Sequence, residues 1–239
     1  MPLPNLSEMP ATATVFVVDD DASVRAALED LLESVGLQVH GFGTTAAFVQ
    51  HWQAQPPQGA ACLVLDIRMP QQSGLDFQRS MQLLGIGLPV IFITGHGDVP
   101  MSVQAMKNGA IEFLTKPFRD QDLLDAIQQA VALDEQRCAQ QQSDQALLAQ
   151  WQTLTAGEQA VVRGVVAGQL NKQIAADLGV SEITVKVRRG NAMRKLQLRS
   201  VADVVRLWDR LQVLQTDAGS TGGRDQLGRA QRMAVVITR

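Results

Sequence analysis

Four short apolar runs, each stopping abruptly at polar residues, constrain the fold of this chain more than any other feature. Val15-Phe16-Val17-Val18 leads into Asp19-Asp20-Asp21 and Cys62-Leu63-Val64-Leu65 into Asp66. Val90-Ile91-Phe92-Ile93 leads into Thr94-Gly95, and Ile111-Glu112-Phe113-Leu114-Thr115 into Lys116-Pro117. Runs of this length without alternation read as strands covered on both faces, as in a parallel sheet flanked by helices. The segments between them have helical spacing. Residues 23–35 carry Val24, Ala27, Leu28, Leu31, Leu32 and Val35 along one side, and Gly36 stands where a left-handed cap belongs. Leu37-Gln38-Val39 reads as a further strand, and residues 45–52, 74–84, 99–107 and 121–133 read as helices. Five strands alternating with five helices predict an α/β, doubly wound, five-stranded parallel sheet.

Open sheets of this kind bind ligands beyond the carboxyl ends of their strands, where the polar residues ending the four runs would meet. Taken singly, any of the acids could be a turn residue. Together, Asp19, Asp20 and Asp66 crowd carboxylates that repel unless a cation lies among them, and Mg²⁺, a hard ion with oxygen ligands, suits such a cluster. Thr94 and Lys116 would then face an anion bound to that metal. An acyl phosphate on Asp66 fits, because Mg²⁺ and Lys116 neutralise phosphoryl charge while Thr94 hydrogen-bonds an oxygen.

The set of Asp19-Asp20, Asp66 with Met69-Pro70 and Gly74, Thr94-Gly95 and Lys116-Pro117-Phe118 resembles the receiver domain of two-component response regulators, over roughly residues 13–132. The resemblance implies strand order 2-1-3-4-5 and makes Asp66 the acceptor of a phosphoryl group from a sensor histidine kinase. It implies Mg²⁺ held by Asp20, Asp66 and the backbone carbonyl of Arg68, with Asp19 assisting through water. Thr94 and Phe113 become a switch pair: the aromatic turns inward as Thr94 moves toward the phosphoryl group. That motion would reach the surface of helix four, strand five and helix five, the face on which receivers pair, near Met101, Val103, Met106 and Ile111.

The net charge of −3 conceals an asymmetry. Residues 1–135 hold 6 Lys and Arg against 16 Asp and Glu, whereas residues 151–215 hold 10 against 5. An acidic front half matches a metal site, and a basic rear half matches a polyanion partner. Between them, residues 134–150 are rich in Gln and Ala and read as a helical linker, with Leu147, Leu148 and Trp151 able to dock on the rear half.

The rear half opens with a capping box, Thr155 and Glu158, before a helix through Val161, Val162, Val165 and Val166. Asn171 is expected to cap a second helix over 172–178 that Gly179 ends, Ser181 a third over 182–196, and Ser200 with Asp203 to begin a fourth over 201–212. The second and third form a helix-turn-helix. On the third, Val185, Ala192 and Leu196 share an inward face, while Thr184, Lys186, Val187, Gly190 and Asn191 look elsewhere and suit a major groove. Lys and Arg there can meet guanine edges or phosphates, and Val187 a thymine methyl.

Residues 153–214 resemble the LuxR-type four-helix output domain of the NarL/FixJ response regulators. The match runs through Leu154-Thr155, Glu158, Asn171-Lys172-Gln173-Ile174-Ala175, Thr184-Val185-Lys186 and Met193-Arg194-Lys195-Leu196. It implies DNA contacts by Lys172, Thr184, Lys186, Val187, Arg188 and Asn191. Arg188 departs from the family, which commonly has His there. The domain boundaries expected are an N-terminal extension at 1–12, a receiver at 13–133, the linker at 134–152, the output domain at 153–215 and a disordered tail at 216–239.

The resemblances together imply a DNA-binding transcriptional regulator, not an enzyme, that dimerises on phosphorylation, binds promoter DNA and meets RNA polymerase there. One alternative is a receiver that works without phosphorylation. Another is a haloacid dehalogenase-type phosphatase using Asp19 and Asp21, which leaves Asp66 and the helix-turn-helix without a role. Two cysteines, Cys62 and Cys138, form no disulfide framework, and no run reaches the length of a membrane span, so a cytoplasmic protein is expected. His40, His51 and His96 stand at no metal-ligand spacing and read as surface or loop residues.

Overall fold

In the computed structural model, residues 13–70, 72–95 and 99–222 are described. The chain divides into two compact units with the boundary after Ala139, inside a single long helix. The front unit runs β1 (Thr14–Val18), α1 (Ala22–Ser34), β2 (Gln38–Phe42), α2 (Thr45–Ala54), β3 (Ala61–Asp66), α3 (Gly74–Met81), β4 (Val90–Thr94), α4 (Val99–Lys107), β5 (Glu112–Thr115) and α5 (Asp120–Gln152). Its sheet is parallel throughout in the order β2-β1-β3-β4-β5, as the sequence predicts.

Central strands β1, β3 and β4 are buried at every position, which is why they read as unbroken apolar runs. Their side chains alternate between two cores. Val15, Val17, Cys62, Val64, Ile91 and Ile93 pack with Leu28 and Leu32 of α1 and Leu123 and Ile127 of α5. Phe16, Val18, Leu63, Leu65 and Phe92 pack on the other side with Phe48 of α2, Phe77 and Met81 of α3 and Ala105 of α4. Edge strands β2 and β5 are half-exposed. The strand expected at Leu37-Gln38-Val39 begins one residue later and runs on to Phe42, because Gln38 opens the pairing against Thr14 and Leu37 drops into the core instead.

The rear unit holds the end of α5 with α6 (Ala156–Val166), α7 (Asn171–Leu178), α8 (Glu182–Lys195) and α9 (Val201–Gly222). Trp151, Leu154, Val161, Val165, Ile174, Val185, Ala192, Leu196, Val204 and Leu211 form its core, with Leu147 and Leu148 packed against it. Two expectations are corrected. Asn171 does not cap α7: it is the first helical residue, and the Leu170 amide is met by Gln173 Oε1 at 2.7 Å while Asn171 Oδ1 accepts from Arg189 Nη1 at 3.3 Å. α9 also continues past residue 212 to Gly222, so the expected disordered tail begins as helix. Residues 1–12, His96 and residues 223–239 lie outside the described residues.

Candidate functional site

Three consecutive aspartates follow β1, and local geometry gives each a different task. Asp21 is the N-cap of α1, accepting from the amides of Ser23 at 2.8 Å and Val24 at 3.4 Å, and those two bonds hold its carboxyl below the usual range. Asp19 is 1% exposed, accepts from the Asp21 amide at 2.9 Å and pairs with Lys116 Nζ at 2.5 Å. Asp20 is exposed, with no hydrogen bond or ion pair to any described residue. Arg25, one turn into α1, donates Nη1 to the Asp19 carbonyl at 2.6 Å and so ties down the loop that displays these acids.

Asp66 ends β3 and is buried. Burial pushes its carboxyl up; the Lys116 ammonium pulls it back, nearby Asp19 raises it further, and the amides of Arg68 and Ile67 lower it. Its Oδ1 is buried and has no hydrogen-bond partner among the described residues. Oxygens of Asp19, Asp20 and Asp66 lie within 4.8 Å of one another. A buried, unsatisfied carboxylate oxygen beside an unengaged exposed carboxylate offers oxygen donors of the kind a hard divalent cation takes.

The sheet edge brings Thr94 and Lys116 to the same end. Thr94 is fully buried at the close of β4, and its carbonyl accepts from the Lys116 amide at 2.8 Å. The Lys116–Pro117 peptide is cis. Phe113 pairs in register with Phe92 and is half-buried against the core on the α2 side. Gly74 is explained by close approach: its amide donates to the Ile67 carbonyl at 3.0 Å, and a Cβ there would fall 3.1 Å from Ile67 Cα. The turn after Asp66 therefore closes only on glycine.

In the rear unit, Thr155 Oγ1 accepts from the Glu158 amide at 3.3 Å and Glu158 Oε2 from the Thr155 amide at 2.8 Å, the capping box expected. The same Glu158 oxygen binds Lys195 Nζ at 2.7 Å, and this ammonium is the main cause of its lowered carboxyl pKa. Gly179 ends α7 in the left-handed region at φ 64°, and Ser181 Oγ accepts from the Thr184 amide at 3.2 Å to start α8. Val185, Ala192 and Leu196 are buried as expected. Lys172, Lys186 and Val187 are exposed, whereas Thr184, Arg188 and Asn191 are half-buried. Thr184 and Ser181 share a hydroxyl contact at 2.9 Å, and Asn191 accepts from Arg194. Arg188 lies against Gly157 of α6, where a Cβ would meet its guanidinium carbon at 2.8 Å.

Several residues of these sites escaped the sequence reading. Ile183, 74% exposed, stands one turn before exposed Val187 on α8. Its signal was available: it falls outside the register of Val185, Ala192 and Leu196. Arg25 and the second bond of Glu158 carry no local signal, since their partners are set by tertiary packing.

Residues 15–128 match the family described as the response regulator receiver domain, and residues 152–208 match that of bacterial regulatory proteins of the luxR family. Nodulation protein W of Bradyrhizobium diazoefficiens is 48% identical over 205 residues, covering 86% of this chain and 89% of that protein. Response regulator protein TmoT of Ectopseudomonas mendocina is 46% identical over 199 residues, covering 83% and 89%. The solved structure of response regulator StyR, 47% identical, superposes with a TM-score of 0.73 and covers 83% of this chain and 98% of that one.

Proposed function

Because the chain belongs to the two-component response regulators that join a receiver domain to a LuxR-type DNA-binding domain, we propose that Asp66 is its phosphoacceptor and that phosphorylation controls promoter binding. The observation that carries this reading is the unpartnered, buried Oδ1 of Asp66 at the centre of the acid cluster. Asp20, Asp66 and the Arg68 carbonyl would hold Mg²⁺, with Asp19 assisting through water. Bound there, Mg²⁺ supplies charge neutralisation for carboxylate and phosphoryl oxygens.

An Asp66 oxygen attacks the phosphorus of a phosphohistidine on the sensor kinase. The P–O bond forms as the P–N bond breaks, and the imidazole nitrogen leaves with the electron pair. Lys116, already within the pocket on Asp19, balances charge on the transferring group, and the Thr94 hydroxyl hydrogen-bonds a phosphoryl oxygen. The switch operates if that bond and the inward turn of Phe113 occur together in one conformation. Phosphorylation shifts the equilibrium only by its differential interactions, and moving it from 1:99 to 99:1 takes about 10⁴-fold preference.

Receivers then pair through α4, β5 and α5, where Val99, Val103 and Met106 are exposed. Met101 and Ile111, expected near that face, pack partly into the two cores. Paired output domains place α8 in successive major grooves, with Lys172, Thr184, Lys186, Val187 and Asn191 toward DNA and RNA polymerase recruited beside them. Arg188, seated on Gly157, joins by fixing α8 against α6 and presenting charge to the phosphate backbone. The phosphatase alternative is disfavoured by Asp19 and Asp21, which are committed to Lys116 and to the cap of α1.

The test is intact-mass detection of phosphoryl uptake from acetyl phosphate with and without Mg²⁺. Uptake should require Mg²⁺ and vanish in Asp66→Asn. Uptake surviving in that variant would redirect attention to Asp19, and no uptake from either acetyl phosphate or the cognate kinase would leave a receiver that works unphosphorylated.

A further inference from the structure

His40 and His51 lie on neighbouring elements, β2 and α2, and the fold brings their rings to a centroid distance of 4.9 Å, tilted by 42°. His40 lies on edge strand β2 and is exposed. His51 lies in the last turn of α2 and is half-buried. Both rings rest on an aromatic wall that limits their motion. Phe16 stacks on His40 at 5.9 Å and meets His51 edge-on at 6.0 Å, while Phe42 lies 5.2 Å from His51.

We propose that His40 and His51 form a bidentate site for a borderline-soft divalent metal of the Zn²⁺ class, separate from the acidic pocket at the strand ends. Two imidazole nitrogens each ~2.1 Å from one ion in a roughly tetrahedral arrangement put their ring centres about 5 Å apart. The observed centroid separation of 4.9 Å meets that requirement. Imidazole suits Zn²⁺, whereas the carboxylate cluster suits Mg²⁺, so the two sites differ in chemistry as well as in place. Burial lowers the His51 pKa, and His40 lowers it further, which favours the neutral imidazole that ligates. Exposed His40 gives the ion a path from solvent, and water completes the coordination. The bound ion would tie β2, the edge of the sheet, to α2.

The experiment is a Zn²⁺ titration of the full-length chain by calorimetry in excess Mg²⁺, which competes for the carboxylate cluster. One Zn²⁺ per chain is expected, with affinity falling by roughly tenfold or more in His40→Gln and equally in His51→Gln, since even the outer partners of a ligand are worth that much. Circular dichroism reports whether each variant keeps its fold. In the wild type, Zn²⁺ should protect His40 and His51 together from diethyl pyrocarbonate, mapped by mass spectrometry, so the outcome does not depend on the variants. The proposal is overturned by absence of Zn²⁺ binding in excess Mg²⁺, by binding unchanged in either variant, or by protection of neither histidine.

Discussion

Replacing Gly74 by Ala should damage stability and phosphoryl uptake together, because the added methyl has nowhere to go. A Cβ at this position would stand 3.1 Å from Ile67 Cα and 3.2 Å from the Asp66 carbonyl carbon, with the Asp66 carbonyl oxygen nearer still. Carbon atoms are comfortable at about 3.5–4.0 Å, so the turn and the end of β3 must separate by about 0.5–1 Å. All three obstructing atoms are backbone, and the Gly74 amide is bonded to the Ile67 carbonyl at 3.0 Å, so no side chain can give way instead. Overpacking of this kind costs about 1–3 kcal/mol. The strand end that moves carries Asp66, and a displacement of ~1 Å in a reacting group can cost on the order of 10²-fold in rate. Urea unfolding should therefore show an earlier midpoint, and intact-mass measurement of uptake from acetyl phosphate a rate lower by roughly one to two orders of magnitude. A Gly74→Ala protein with wild-type midpoint and wild-type rate would refute the close-approach argument. Lost stability with an unchanged rate would show that the turn does not position Asp66.

Single contacts carry three more expected outcomes. Glu158 has a folded pKa below its ordinary 4.5, chiefly through Lys195, so its stabilising effect is complete above that pH and lost as pH falls through the folded value. The urea midpoint of the rear unit, read from Trp151 and Trp208 in a Trp52→Phe background, should drop below pH 4.5, and Glu158→Gln should flatten that dependence. Asp134, 1% exposed, accepts from the Ala61 amide at 2.9 Å and from Arg137 Nε at 2.7 Å. Asp134→Ala leaves a buried amide without its acceptor and should destabilise the front unit by about 1–3 kcal/mol in urea unfolding; an unchanged midpoint would count against the buried bond. Gly190 lies inside α8, where a Cβ meets nothing within 4 Å. Gly190→Ala should stabilise the rear unit by about 0.5–1 kcal/mol in thermal melts while weakening promoter binding in gel shifts, because the methyl falls on the face proposed to meet DNA.

The order of elements was legible because the three central strands of the sheet are buried on both faces, so Val15 to Val18, Cys62 to Leu65 and Val90 to Ile93 had to be apolar throughout. Caps were legible for a local reason: Thr155, Ser181 and Gly179 act on amides and carbonyls within a few residues. Where a cap has no such chemistry, as at Leu170, the sequence misled, and the neighbouring Asn171 drew the assignment. The end of α9 was misplaced because glycines and polar residues resemble a linker, although the helix continues to Gly222.

The amino-acid sequence by itself determined which residues end the strands, and therefore that Asp19, Asp20, Asp66, Thr94 and Lys116 share one sheet edge. Parallel topology leaves such residues no other place to meet. Tertiary structure decided how that chemistry is divided: Asp19 to Lys116, Asp21 to the α1 cap, Asp20 to solvent, and Asp66 Oδ1 to no partner. It alone set Glu158 against Lys195, Asp134 against Ala61 and His40 beside His51. Each pair joins two separate elements, and the distance between its members exists only once the surrounding core has closed and fixed how those elements pack.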